Sequence, residues 1–274
     1  RQPPLVLLEN VPGFLTSHGG DDFRDACLAL NDLGYVVDAF MIDAARFVPQ
    51  SRLRLFLIGM RAGRGVAQVA ETSSFYESQC RPRVLAEYIL WHPEIRWSIR
   101  PLPPIAGRST TLAEILEDLP EESPHWWSPE RAEYLLRQMS ERHRTIADEM
   151  IRGRKRTFGT VFRRVRHGRS MAELRTDGIA GCLRTPRGGS GRQILFAAGR
   201  GRYAVRLLTP RECARLMGAD SFRIVVPLNQ ALFGFGDAVC VPVIRWIANN
   251  YLTPVWEEKY AKERSETRYI VKAV

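Results

Sequence analysis

Residues 5–14, LVLLENVPGF, begin with four apolar side chains and stop at Glu9-Asn10 and a Pro-Gly turn. A short apolar run closed by turn residues predicts a strand buried on both faces, as in a parallel sheet. Residues 21–33 place Phe23, Ala26, Cys27, Leu30 and Leu33 at helical spacing before Gly34, a good helix terminator. Residues 35–42 are β-rich, and Val48-Pro49 interrupts the chain before RLRLFLIGM at 52–60. In that run Arg52, Arg54, Phe56 and Ile58 share one face, and Leu53, Leu55 and Leu57 the other. Strand, helix, strand, turn and strand predict the tail of an open α/β sheet.

From residue 61 the pattern is mixed. Residues 83–91 suit a helix before His92-Pro93, and 111–119 suit a better one, with Thr111 and Glu114 at capping-box spacing and Pro120 as the stop,. Residues 130–150 read as one amphipathic helix carrying Tyr134, Leu135, Met139 and Ile146. A Gly-rich stretch with short β-prone runs follows, as expected of a small β module. Thr209 as N-cap, Pro210, Glu212 and Gly218 frame a strongly signalled helix with Cys213, Leu216 and Met217 as its apolar stripe,. A further helix is expected to start near Gly236-Asp237, with Asp237 as N-cap and Pro242 in its opening turns. The last twenty or so residues read as a charged surface helix or tail.

Charge sharpens this picture because it is unevenly placed. Residues 151–206 hold fifteen Lys or Arg against two acids, a surplus of +13 that leaves the rest of the +10 chain at −3. Interleaved with Phe158, Phe162, Phe196 and Tyr203, this block suits a polyanion, although a solvated basic surface has the same composition. The five cysteines are scattered and include no Cys-x-x-Cys pair, which favours a reducing cytoplasm and argues against a zinc site. No apolar run is expected to span a bilayer, and no signal peptide opens the chain. The first strand starts within a few residues of Arg1, which reads as a piece beginning inside a domain. Glu9 falls at a strand's carboxyl end, where α/β enzymes hold ligands, or else is a solvated cap. Arg52 and Arg54, at the start of a buried strand, require an anionic partner or a polar ligand.

Taken in order, these stretches resemble the C-terminal two thirds of DNA cytosine-5 methyltransferases. Glu9-Asn10-Val11 resembles the family's Glu-Asn-Val motif, and Gln50-Ser51-Arg52-Leu53-Arg54 its Gln-x-Arg-x-Arg motif. Residues 206–218 resemble the segment that closes the target recognition domain, and 230–239 the Gln-x-x-x-Gly-Asn-(Ser/Ala)-Val motif. The resemblance implies the C-terminal part of a Rossmann-like class I methyltransferase sheet, an α/β fold with a small mixed, β-containing target recognition domain inserted. The implied divisions are 1–62 for the catalytic strands, 63–205 for linker helices and recognition domain, 206–252 for helices returning to the catalytic domain, and 253–274 for the tail.

The resemblance also implies chemistry. Carbon 5 of cytosine is a poor nucleophile, so such enzymes add a cysteine thiolate at carbon 6 and activate the ring toward the methyl of S-adenosylmethionine. Glu9 would share a proton with N3 of a flipped base, and Asn10 would hold the strand-end loop and the base's polar edge. Arg54 would meet the cytosine carbonyl region, and Arg52 would orient Glu9 or the nucleophile loop. Gly236, Asp237, Ala238 and Val239 would face the cofactor. Gln50, Arg163, Arg164, Arg166, Arg184, Arg187 and Arg192 would contact double-stranded DNA. No metal is implied. The chain departs from the family in lacking the Gly-rich cofactor motif and any Pro-Cys pair, and in having Asp237 where Asn is usual. The expectation is therefore an N-terminal subunit or segment that carries the nucleophile, with a non-catalytic DNA-binding homologue as the alternative and an RNA methyltransferase as a remote one.

Overall fold

The computed structural model describes residues 2–61, 76–166, 168–185 and 191–258. Backbone contacts divide the chain into two units, residues 1–43, 53–106 and 244–274 in the first and 44–52 and 107–243 in the second. These boundaries differ from the sequence reading. Residues 63–106 group with the first strands, and 206–243 group with the basic β module.

In the first unit, β1 (Leu5–Asn10), α1 (Asp21–Asp32), β2 (Tyr35–Asp43) and β3 (Leu53–Arg61) follow one another. The sheet order is β1-β3-β2, with β3 antiparallel to both neighbours. This corrects the expectation of a parallel strand buried on both faces. β1 lies at an edge of the described sheet, and Leu8 stays 45% exposed. Helix α1 ends where Gly34 turns at φ +89. One face of the sheet, through Val37, Ala39, Leu55 and Leu57, packs on Phe23, Cys27 and Leu30 of α1 and on Leu85 and Ile89 of α2 (Arg83–Trp91). On the other face Phe40 meets Phe56 and Tyr251. Fully buried Asp38 is held there by Arg81 Nη2, the Tyr251 hydroxyl and the Arg100 amide, so the buried carboxylate is both neutralised and hydrogen-bonded.

The second unit is built on a four-stranded antiparallel sheet ordered β5-β4-β6-β7. Its strands are β4 (Thr157–Arg166), β5 (Arg169–Arg175), β6 (Ile194–Gly199) and β7 (Arg202–Leu207). The predicted helix at 111–119 is the single turn α3 (Leu112–Ile115). Its capping box forms as expected, but Leu116 is already extended. Residues 130–150 form two helices, α4 (Pro129–Arg137) and α5 (Glu141–Arg152), because Ser140 leaves the helical conformation as N-cap of α5. Leu135, Leu136 and Ala147 pack on Val161, Ile194 and Phe196 across one face of the sheet.

Helix α6 (Pro210–Leu216) has the expected Thr209–Glu212 capping box and buries Cys213 and Leu216. Then come α7 (Leu228–Asp237) and α8 (Val241–Ile247). Gly236-Asp237 thus ends one helix instead of starting the next, which corrects Asp237 as an N-cap. The run Leu228–Trp256 is long and apolar enough, by length and composition, to cross a membrane, against the expectation of none, and residues 238–240 interrupt its helix. The expected C-terminal tail lies largely outside the described residues.

Candidate active site

The acid expected at a strand end is there. Glu9 is the second-last residue of β1, paired in register with Phe56, and its Oε1 lies 3.1 Å from Arg54 Nε. The two side chains are 23% and 15% exposed, so the pair is sheltered but open to a ligand. Arg54 also donates from Nη1 to the Leu53 carbonyl at 2.9 Å, which restricts the fork. Next to Glu9, the Asn10 Oδ1 accepts from the Val11 amide at 2.8 Å and sets the turn into Pro12.

The remaining expected residues sit in the second unit, and several do something else there. Gln50, expected at DNA, is fully buried. Its Nε2 donates to the Leu216 carbonyl at 2.7 Å, and its Oε1 accepts from the Leu183 amide at 3.0 Å. The amide offers a donor and an acceptor on separate atoms without carrying charge, which suits a buried tie between two backbone segments. Arg52 is 4% exposed and donates to the carbonyls of Leu183 at 3.0 Å and Ala238 at 2.7 Å. The sequence reading did not anticipate these carbonyl partners.

Of the expected cofactor residues, Gly236 is buried and Ala238 half-buried, while Asp237 and Val239 are exposed. A Cβ on Gly236 would stand 2.4 Å from the Thr185 nitrogen and 2.5 Å from the Arg184 carbonyl carbon, so α7 ends directly against that backbone. The Asp237 carboxylate accepts from the Thr185 hydroxyl, while Val239 is 41% exposed. With the Gly236 and Ala238 carbonyls facing Arg52, residues 236–239 make no cradle for S-adenosylmethionine by themselves. At most they supply one wall. Among the described residues no group of three His, Cys, Asp or Glu side chains could hold a metal.

The arginines expected at DNA divide by position. Arg163, Arg164 and Arg184 line a cavity of about 210 Å³ together with Phe162, Ser51, Cys182, Gln193 and Arg175. Arg164 lies 4.7 Å over the Phe162 ring, and its Nε stands 3.9 Å from the Glu173 carboxylate, a stacked guanidinium only loosely paired at a half-exposed site. Arg175 was not read from the sequence. Its only signal is the strand register that sets it opposite Thr160, and Asp177 holds its Nε at 2.8 Å. Arg166 pairs with Glu173 at 3.1 Å, and Arg192 donates to Asn229 at 2.6 Å. Arg187 lies outside the described residues. Half-exposed Cys182 stands 3.6 Å from Arg52 Nη1. Cys27, Cys213 and Cys240 are buried packing residues whose thiols burial pushes up to about 12, 12 and 11.

These features define a mixed α/β chain with an acid–guanidinium pair at a strand end and a separate β module bearing an arginine-lined cavity. Comparison with known proteins gives that class a family. A family profile described as "C-5 cytosine-specific DNA methylase" matches residues 1–253. The "DNA-cytosine methyltransferase" of Escherichia coli is 27% identical over 296 residues, covering 98% of this chain and 53% of the relative. "Type II methyltransferase M.MspI" of Moraxella sp is 24% identical over 250 residues, covering 90% of this chain and 46% of the relative. Among solved structures, the Dnmt2 methyltransferase of S. pombe superposes with a TM-score of 0.54 at 15% identity, covering 94% of this chain and 68% of that one. The Entamoeba histolytica methyltransferase EhMeth gives 0.53 at 13%, covering 93% and 63%. At such identity the likeness shows the fold, that of the methyltransferases. The chain belongs to the C-5 cytosine-specific DNA methylase family, and it spans about half the length of the curated relatives first matched.

Proposed function

We propose that this chain is the part of a DNA cytosine-5 methyltransferase that stabilises the flipped base and grips DNA, acting with an N-terminal portion or partner that carries the nucleophilic cysteine. The observation that carries this reading is the Glu9–Arg54 pair at the end of β1, in a chain of this family. During thiolate addition at carbon 6, negative charge develops on the ring, and Glu9 supports a proton at N3. Arg54 anchors that carboxyl group and presents a guanidinium edge toward the ring carbonyl. S-adenosylmethionine supplies an electrophilic methyl group and is held chiefly by the N-terminal portion, since the Gly236 and Ala238 carbonyls already accept from Arg52 and the Asp237 carboxylate from Thr185. The arginine-lined cavity takes backbone phosphate, and its aromatic–guanidinium stack meets the neighbouring nucleotide.

Support for a partner comes from exposed apolar surface. Phe222, Val225, Val226, Leu228 and Phe233 are each more than a third exposed within a dozen residues, a concentration that soluble surfaces rarely leave uncovered. A non-catalytic DNA-binding role is the second reading, favoured by the absence of any cysteine after a proline.

The test is transfer of labelled methyl to duplex DNA by the chain mixed with an N-terminal portion bearing the missing motifs. Activity that Glu9→Gln lowers by about 100-fold, with duplex affinity kept, is the expected result. A soluble, DNA-bound complex that never methylates would favour the second reading.

A further inference from the structure

Outside the arginine-lined cavity, the second unit holds another opening that none of the expected roles uses. It has a volume of about 150 Å³ and is walled by Trp126 and Phe158, with Leu195 on the sheet side and Asp118, Arg156 and Arg206 around it. Trp126 is fixed by its indole N–H, which donates to the Pro120 carbonyl at 3.0 Å. The exposed Arg156 guanidinium lies 6.0 Å from both ring centroids. Buried Arg206 stacks on Trp126 at 5.0 Å, and its Nε–H has no acceptor among the described residues. Exposed Asp118 makes no described hydrogen bond or ion pair.

Each group limits what could fit. Two aromatic walls favour a flat ring, and the volume holds one ring more readily than two. An arginine at the mouth favours an anion attached to that ring. A free carboxylate accepts from an exocyclic amine, as acids do from cytosine N4. An unsatisfied buried N–H calls for a ring carbonyl.

We propose that this cavity binds one unpaired cytosine nucleotide, stacked between Trp126 and Phe158, with its amine on Asp118, its O2 facing Arg206 and its phosphate on Arg156. Phe158 and Phe162 share the β4 face that lies opposite the core residue Val161. An alternation of this kind puts the nucleotide cavity and the arginine-lined cavity along one strand, four residues or roughly 13 Å apart. That the nucleotide belongs to DNA rests on the proposed function; the fit of the ring does not.

The experiment titrates the chain with CMP, UMP, cytidine and inorganic phosphate, followed by saturation-transfer NMR and calorimetry. CMP is expected to bind about tenfold more tightly than UMP, and Asp118→Asn to abolish that preference. Phe158→Ala should weaken CMP about tenfold. Arg156→Ala, at an exposed position that leaves the fold intact, should bring CMP down to the affinity of cytidine. Equal binding of CMP and UMP, displacement of CMP by phosphate alone, or indifference to both Phe158→Ala and Arg156→Ala would overturn the proposal. CMP selectivity without duplex binding would remove the DNA reading and leave this one standing. Duplex binding without CMP selectivity would do the reverse.

Discussion

Replacing Gln50 by Ala separates a structural amide from a DNA contact. In the folded chain this amide ties the Leu216 carbonyl to the Leu183 amide, at 2.7 and 3.0 Å, with no solvent access. Alanine leaves one buried donor and one buried acceptor without a partner, at about 1–3 kcal/mol each. The lost methylene adds about 1 kcal/mol more, for a total of about 3–7 kcal/mol. In a chain of this size each kcal/mol lowers the melting temperature by roughly 2–4 °C, so a fall of about 6–28 °C is expected. The same variant, folded at low temperature, should keep its duplex affinity and the same slope of log K against log salt, because no phosphate contact is lost. Both are read from one preparation by thermal unfolding and a salt titration of DNA binding. A melting temperature within 2 °C of the parent, with duplex affinity down tenfold, would refute the structural assignment and restore Gln50 to the interface.

Three other outcomes follow from the same contacts. Glu212→Gln should destabilise the chain by about 3–5 kcal/mol in chemical denaturation, because it strands the Arg206 charge, whose ion pair with Glu212 at 2.5 Å is 1% and 0% exposed,. Gly236→Ala should cost about 1–3 kcal/mol, since its Cβ meets backbone atoms of residues 184 and 185 that cannot swing aside,; an unchanged denaturation midpoint would contradict that packing. Alkylation by iodoacetamide at pH 8, followed by peptide mass mapping, should label half-exposed Cys182 well before Cys27, Cys213 and Cys240, whose thiols are buried and raised,. Bound duplex should slow labelling of Cys182, which lines the arginine cavity.

Local signals were the readable ones. The Thr209-Pro210-Glu212 start of α6, the Thr111–Glu114 box and Gly34 behind α1 each act within a few residues, and all three form as the sequence predicts. Elements whose limits depend on distant chain were misread. The helix expected to reach residue 119 stops at Ile115, and beyond it the Glu117 amide donates to Glu212 while the Glu117 carboxylate accepts from Thr209. Gly236-Asp237 looked like a helix start because Gly-Asp suits either end. Its place is set by the close approach of residues 184–185, which no local pattern records. The apolar run of β1 announced a strand but not its edge position, since exposure is a property of the neighbours. At the site, residue types were legible and assignments were not: Glu9 stands at its strand end as expected but beside Arg54, where Arg52 was the expected neighbour, Gln50 and Arg52 are buried, and Arg175 joined the basic cavity through strand register alone.

Arg52 and Arg54 show how two like residues, two positions apart, come to different work. Arg54 lies inside the β3 ladder, opposite Ile42, so its direction is fixed by the sheet that also fixes Glu9. Arg52 precedes the first strand residue and groups with the second unit, so no ladder constrains it. Its described partners include the Leu183 carbonyl and two carbonyls, from Gly236 and Ala238, at the C-terminal end of α7. A helix C-terminus concentrates unsatisfied carbonyls and partial negative charge, which stabilises a buried cation. The planar fork spans the Leu183 and Ala238 oxygens together, a reach that the point charge of a lysine lacks. An Arg-x-Arg spacing therefore lets one strand start serve both purposes: the first guanidinium closes a helix end, and the second is left to hold the acid.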